Sequence, residues 1–95
     1  MLVAAVLKVK AGTIGERTTR RAQWRYPEGA NVVAEYWLQS TDPAIPNCVS
    51  LFEVDSIAPV MAAMAAWDDV FDITVVPAVT AEEGLELAQQ MMQSQ

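Results

Sequence analysis

The chain contains no histidine among its 95 residues. That absence removes the usual general base near neutral pH, the commonest axial ligand of haem, and the Ser-His and Cys-His nucleophile pairs. There is one cysteine, Cys48. A lone thiol forms no internal disulfide and suits a reducing compartment. Without histidine, a zinc site would have to be built almost wholly from carboxylates, so no metal and no cofactor are expected. Long apolar runs are also missing: nothing approaches the roughly 20 residues of a membrane span. The opening MLVAAVLKVK carries its lysines after the apolar run rather than before it, which reads as a first strand and not as a signal peptide. The expectation is a soluble, cytoplasmic, single-domain protein spanning residues 1 to 95.

Basic residues are absent beyond Arg25. Residues 1 to 25 hold all six Lys and Arg and one acid, and the remainder holds eleven acids, leaving a net charge of −6. An acidic chain is a poor match for nucleic acid, where phosphate contacts supply most of the affinity. Four of the six basic groups fall in ERTTRRAQWR, Glu16 to Arg25. They suit the acidic half of the same protein, a partner, or a small anionic ligand.

Apolar content of 53% with 19% charged residues marks a globular chain. LVAAVLKV, residues 2 to 9, reads as a strand covered on both faces. Thr13 and Glu16 have capping-box spacing and predict a helix from Ile14 to about Arg25, ended by YPEG. ANVVAEYWLQS and NCVSLFEVD, rich in β-branched and aromatic residues, predict a hairpin across TDPAIPN. Ile57, Val60, Met61, Met64 and Trp67 form a helical stripe, with Asp55 or Ser56 as cap and Pro59 in the first turn. VFDITVVPAV predicts a last strand, in which Pro77, lacking a ladder donor, favours an edge or a strand end. Thr80 and Glu83 open a final helix, with Leu85, Ala88 and Met92, or Leu87 and Met91, as its buried stripe and a fraying QQMMQSQ tail.

The order β-α-β-β-α-β plus a terminal helix is the ferredoxin-like α+β pattern, with two helices covering one face of a four-stranded antiparallel sheet. Odd-numbered Val33, Trp37, Val49 and Leu51 are assigned to the other face. That face is too apolar to stand in water, and a second copy of the chain is its simplest cover.

PEG after the first helix, YW in the second strand, LFEVD closing the third, and above all WDDVFDITVVPAVTAEE carry a resemblance. The chain resembles the domain of unknown function 3303 family, short proteins of the dimeric α/β-barrel superfamily. The resemblance spans most of the chain; the arginine-rich residues 13 to 25 and the TDPAIPN loop depart from it. It implies a homodimer whose sheets close into a barrel with a cavity in each half. It implies no activity, because the superfamily holds monooxygenases, isomerases, haem enzymes and proteins without catalysis.

Candidate site residues follow from alternation along the strands. If Trp37 faces the barrel interior, Glu35 and Asn31 share its side; Glu53 shares a side with Leu51, and Asp72 with Thr74. Glu35, Glu53 and Asp72 then either converge beside Trp37, where a buried carboxylate can serve as a base, or sit solvated at strand ends, paired with Lys8 and Arg25. Tyr36 and Trp37 either stack a planar ligand or belong to the core. Trp24 and Tyr26 flank Arg25 and either hold an anionic aromatic compound or close the helix onto the sheet. Cys48 reads as a small buried hydrophobe. Arg17, Arg21 and Arg25 lie along one helix side, with Arg20 beside them. Asp68, Asp69, Glu82, Glu83 and Glu86 can meet them within or between dimers; a solvated helix face is the alternative.

Two functional readings rank first. One is a binding protein that holds a small aromatic or anionic molecule by Trp37, Tyr36, Asn31 and Glu53. The other is a cofactor-independent isomerase or monooxygenase using Glu35 or Glu53 as base. A purely structural or assembly role is the third.

Overall fold

The computed structural model describes residues 1 to 94. The elements follow the predicted order: β1 Leu2–Val9, α1 Ile14–Gln23, β2 Val32–Trp37, β3 Cys48–Glu53, α2 Ala58–Ala65, β4 Phe71–Ala78 and α3 Ala81–Gln93. The strands form one antiparallel sheet in the order β2-β3-β1-β4, the ferredoxin-like arrangement with β1 and β3 at its centre. β4 is an edge strand, so Pro77 costs the ladder no donor on its outer side.

Alternation along β1 decides which face is covered. Val3, Ala5 and Leu7 are buried and stand opposite Phe52, Ser50 and Cys48 of β3. Val60, Ala63 and Met64 of α2 close over them, and Trp67 and Val70 seal the turn into β4. Val60, Met64 and Trp67 of the predicted stripe are thus core. Ile57 and Met61 remain exposed. The expected cap does not form: Ile57 holds the N-cap position without a side-chain cap, and the Ser56 hydroxyl accepts from the Ala58 N–H at 3.1 Å in the turn before the helix. Gly29 takes a left-handed φ of +89°, and a Cβ there would lie 3.0 Å from Pro59 Cγ, so the PEG turn needs glycine for two independent reasons.

β2 departs from plain alternation. Val32 pairs with Phe52 but Ala34 pairs with Leu51, so β2 holds one extra residue there, a β-bulge. Beyond it the parity is inverted: Glu35 stands opposite Ser50 and Trp37 opposite Cys48, on the helix-covered face, while Tyr36 stands opposite Val49 on the open face. The assignment of Trp37 to the side of Val49 and Leu51 is therefore corrected. Glu35 does share Trp37's side, as alternation requires.

Two helices also differ from expectation. α1 ends at Gln23, and Thr13 does not close a capping box: its hydroxyl donates to the Lys10 carbonyl at 2.7 Å, and Glu16 pairs with Arg20 instead. The box at Thr80 forms in its N3 half, the hydroxyl accepting from the Glu83 N–H at 3.1 Å. α3 runs intact to Gln93, beyond where fraying was expected; Gln95 lies outside the described residues. No residue of α3 is buried, and Leu85, Leu87, Met91 and Met92 are all exposed, contrary to the predicted buried stripe. The radius of gyration, 15.6 Å, exceeds the about 12 Å expected of a compact chain this long. No helix is long and apolar enough to cross a membrane among the described residues.

Candidate functional site

α1 buries none of its residues and stands off the sheet. The space beneath it is a cleft of about 440 Å³. Ile14, Arg17, Thr18 and Arg21 of α1 line one wall, and Leu7, Glu35, Trp37, Cys48 and Ser50 of the sheet line the other. All three tryptophans of the chain, Trp24, Trp37 and Trp67, border it. A cleft of this size with mainly apolar walls and a few convergent polar groups is the usual form of a small-molecule site.

The aromatic wall is a chain of edge contacts. Trp24 meets Tyr26 at 5.7 Å and Trp67 at 5.4 Å between centroids, both near perpendicular; Trp67 in turn meets Phe71 at 5.7 Å. Such edge-to-face pairs fix ring orientations more tightly than area burial alone. Trp24 closes the end of α1 onto the sheet while also forming cleft wall. Its indole Nε1 is buried without a hydrogen-bond partner among the described residues.

Glu35 is the polar centre. Its carboxylate accepts from the Tyr26 hydroxyl, from Trp37 Nε1 at 2.8 Å, and from Arg21 Nε at 3.2 Å and Nη2 at 3.4 Å. Burial by itself would raise its pKa, but the Tyr26, Trp37 and Arg21 donors outweigh burial and hold the carboxyl below its ordinary value. Burial, followed by the adjacent Glu35 charge, pushes the Tyr26 phenol well above the usual tyrosine range. The pair therefore stays as anion and neutral phenol across the physiological range. Cys48 is buried, and burial pushes its thiol up as well; its Sγ lies 3.7 Å from Ser50 Oγ. A thiol kept protonated is a poor nucleophile.

The arginines of α1 divide their tasks. Arg20 makes a two-pronged pair with Asp69, 2.8 Å to each oxygen, bonds the Ala66 carbonyl and Glu16, and lies over the Trp67 ring. Its hydrogen bonds to Asp69 and then to Glu16 raise its pKa further, so it is a permanent cation strapping α1 to the turn after α2. This is a contact between α1 and the acidic half, but it lies within one chain and uses Arg20. Arg21 holds Glu35, and Arg17 lies over Phe71, 5.9 Å from its centroid.

The remaining candidates are placed elsewhere. Glu53 is exposed on the open face, where it pairs with the terminal amine of Met1 at 2.7 Å. Asp72 is exposed opposite Lys8, while Glu53 stands opposite Leu2, at the far end of β1. Six residues of strand separate these positions, roughly 20 Å, so Glu35, Glu53 and Asp72 do not converge. The bulge has put Glu35 on one side of the sheet and strand polarity has put the other two at opposite ends of the other side. Asn31 precedes β2 and its carbonyl accepts from the Glu53 N–H; its residue does not border the cleft. Tyr36 is 62% exposed on the open face. The cleft residues missed from sequence are Arg17, Arg21, Asn47 and Ser50. The i to i+4 spacing of Arg17 and Arg21 beside Ile14 and Thr18 was the signal available for the first two.

The fold and the cleft define a ferredoxin-like α+β protein with a small-molecule-sized recess between its first helix and its sheet. The family described as a domain of unknown function, DUF3303, matches residues 3–92, and the chain belongs to that family. No curated protein and no solved structure matches the chain significantly.

Proposed function

We propose that this is a cytoplasmic binding protein that holds a small aromatic or anionic molecule in the cleft beneath α1, and that it works as a homodimer. The observation carrying the first part is the convergence of three tryptophans, two arginines and one hydrogen-bonded carboxylate on a recess of about 440 Å³. Rigid, ion-paired lining at Glu35 supports recognition over catalysis: a carboxylate held ionised by three donors is a weak base, so the isomerase or monooxygenase reading loses its leading residue. Glu53, the other candidate base, is exposed and occupied by an amine.

The homodimer rests on what one protomer leaves uncovered. Leu2, Val6, Val49 and Leu51 line an open sheet face beside exposed Tyr36 and Val76. α3, about 20 Å long at 1.5 Å per residue, follows that sheet's edge strand in the chain and exposes its apolar side. A second copy presents the same face, and a two-fold pairing of like faces covers both.

The test of binding uses the three indole N–H signals in proton-nitrogen correlation spectra. Titration with a set of aromatic acids and their neutral analogues is expected to move the Trp24, Trp37 and Trp67 signals together. Indole signals that stay in place at saturating probe concentration would overturn the reading.

A further inference from the structure

We infer that the cleft selects a monocarboxylic acid with a flat aromatic body, its carboxylate held by Arg17 and its ring against Trp67 and Phe71. The inference rests on the binding reading above and adds charge and orientation to it. Within the cleft the charged residues are Arg17, Arg21 and Glu35, a local balance of one positive charge in a chain of net −6. Arg21 and Glu35 satisfy one another. Arg17 is the cation left over.

Arg17 is held in place without being neutralised. Its Nε donates to Thr13 Oγ1 at 2.9 Å, and that hydroxyl in turn donates to the Lys10 carbonyl. Its guanidinium lies over the Phe71 ring. Both terminal nitrogens have no protein partner among the described residues. Thr13 thus gives up its capping role to orient Arg17, which leaves a preformed two-pronged donor at the cleft wall. Asn47 adds a neutral donor: its Oδ1 is taken by the Val9 N–H at 2.9 Å, leaving Nδ2 free at the same wall. A single carboxylate matches this set, because it satisfies the fork and cancels the one unpaired charge. A dianion would bring a second charge close to Glu35, and a neutral ligand would leave Arg17 desolvated without a counter-charge. The aromatic body follows from the neighbouring Trp24, Trp67 and Phe71 rings, which border the recess at steep angles to one another and offer a planar ligand both ring edges and ring faces.

Isothermal titration of the full-length protein with 2-naphthoate and 2-naphthamide separates the two claims, since the probes differ in charge and hardly in shape. Naphthoate is expected to bind roughly 10- to 100-fold more tightly, the range for a charge-assisted contact. Arg17→Gln is expected to abolish that preference while leaving naphthamide binding intact, and exposed Arg25→Gln to leave both unchanged. Equal affinity of the two probes for the wild-type protein would overturn the carboxylate assignment and leave the cleft reading standing. Failure of both probes to bind, with no change in tryptophan fluorescence, would overturn both.

Discussion

Replacing Glu35 by Gln tests whether the polar centre of the cleft is an ion-paired strut. The amide keeps the shape and one acceptor oxygen but removes the charge facing Arg21 and one of the two oxygens shared by Tyr26, Trp37 and Arg21. Glu35 is only 16% exposed in its side chain and Arg21 39%, so solvent replaces the lost contacts incompletely. Hydrogen bonds to a charged group contribute about 1.5–3 kcal/mol each when made. With one acceptor retained and Trp37 near water, the net loss should be about 2 kcal/mol. For a domain of this size that lowers Tm by roughly 8–16 °C. The dependence on pH has a definite sign. The folded carboxyl sits below its ordinary value of 4.5, so its contribution is complete above that value and is lost as pH falls through the folded pKa. Urea melts of both proteins should therefore differ most near neutrality and converge in acid. Equal stabilities at pH 7, or a difference that does not shrink below pH 4, would refute the strut.

Tyr26 provides the mirror-image experiment: its folded pKa is raised above the ordinary 10.0, so stability is full below pH 10 and declines above it by about 1.4 kcal/mol per unit. In a Tyr36→Phe background, phenolate absorbance should appear only as the protein unfolds; a reversible step in the folded protein would contradict the buried bond to Glu35. Arg20→Gln should accelerate amide hydrogen exchange through Ile14–Gln23 while leaving β1 and β3 protected, because Arg20 straps α1 to Asp69 and Ala66; uniform protection would show that α1 is held otherwise. Gly29→Ala should cost about 1–3 kcal/mol by the strain of a left-handed backbone, with added crowding against Pro59, read as a lower urea midpoint with an unchanged slope. Leu51→Lys, on the open face, should convert a sedimenting dimer to a monomer, and a variant that stays dimeric would move the interface elsewhere.

Much of the architecture was legible because each element announces its ends. Thr80 with Glu83, Pro59 in the first turn of α2, and YPEG after α1 are local signals that tertiary packing did not override. Alternation along β2 misled because an inserted residue leaves no mark when Val32 and Val33 are both apolar; the bulge appears only as a register shift against Phe52 and Leu51. The side of Glu35 and Trp37, and with it the site, turned on that one residue. α3 misled for a different reason: its stripe is amphipathic, but nothing among the described residues receives it. Thr13 has the spacing of a cap, yet its hydroxyl is claimed by Lys10 and Arg17, contacts that only the turn between β1 and α1 brings together.

The most direct test of the cleft as a binding site is native mass spectrometry of the protein purified from its own source, beside a Thr18→Trp variant whose new ring enters the recess from the exposed side of α1 and replaces no core side chain. A wild-type dimer with one small molecule per protomer, and a bare Thr18→Trp dimer, is the result that supports the site. Wild-type and variant proteins that are both bare, or that carry the same added mass, would contradict it.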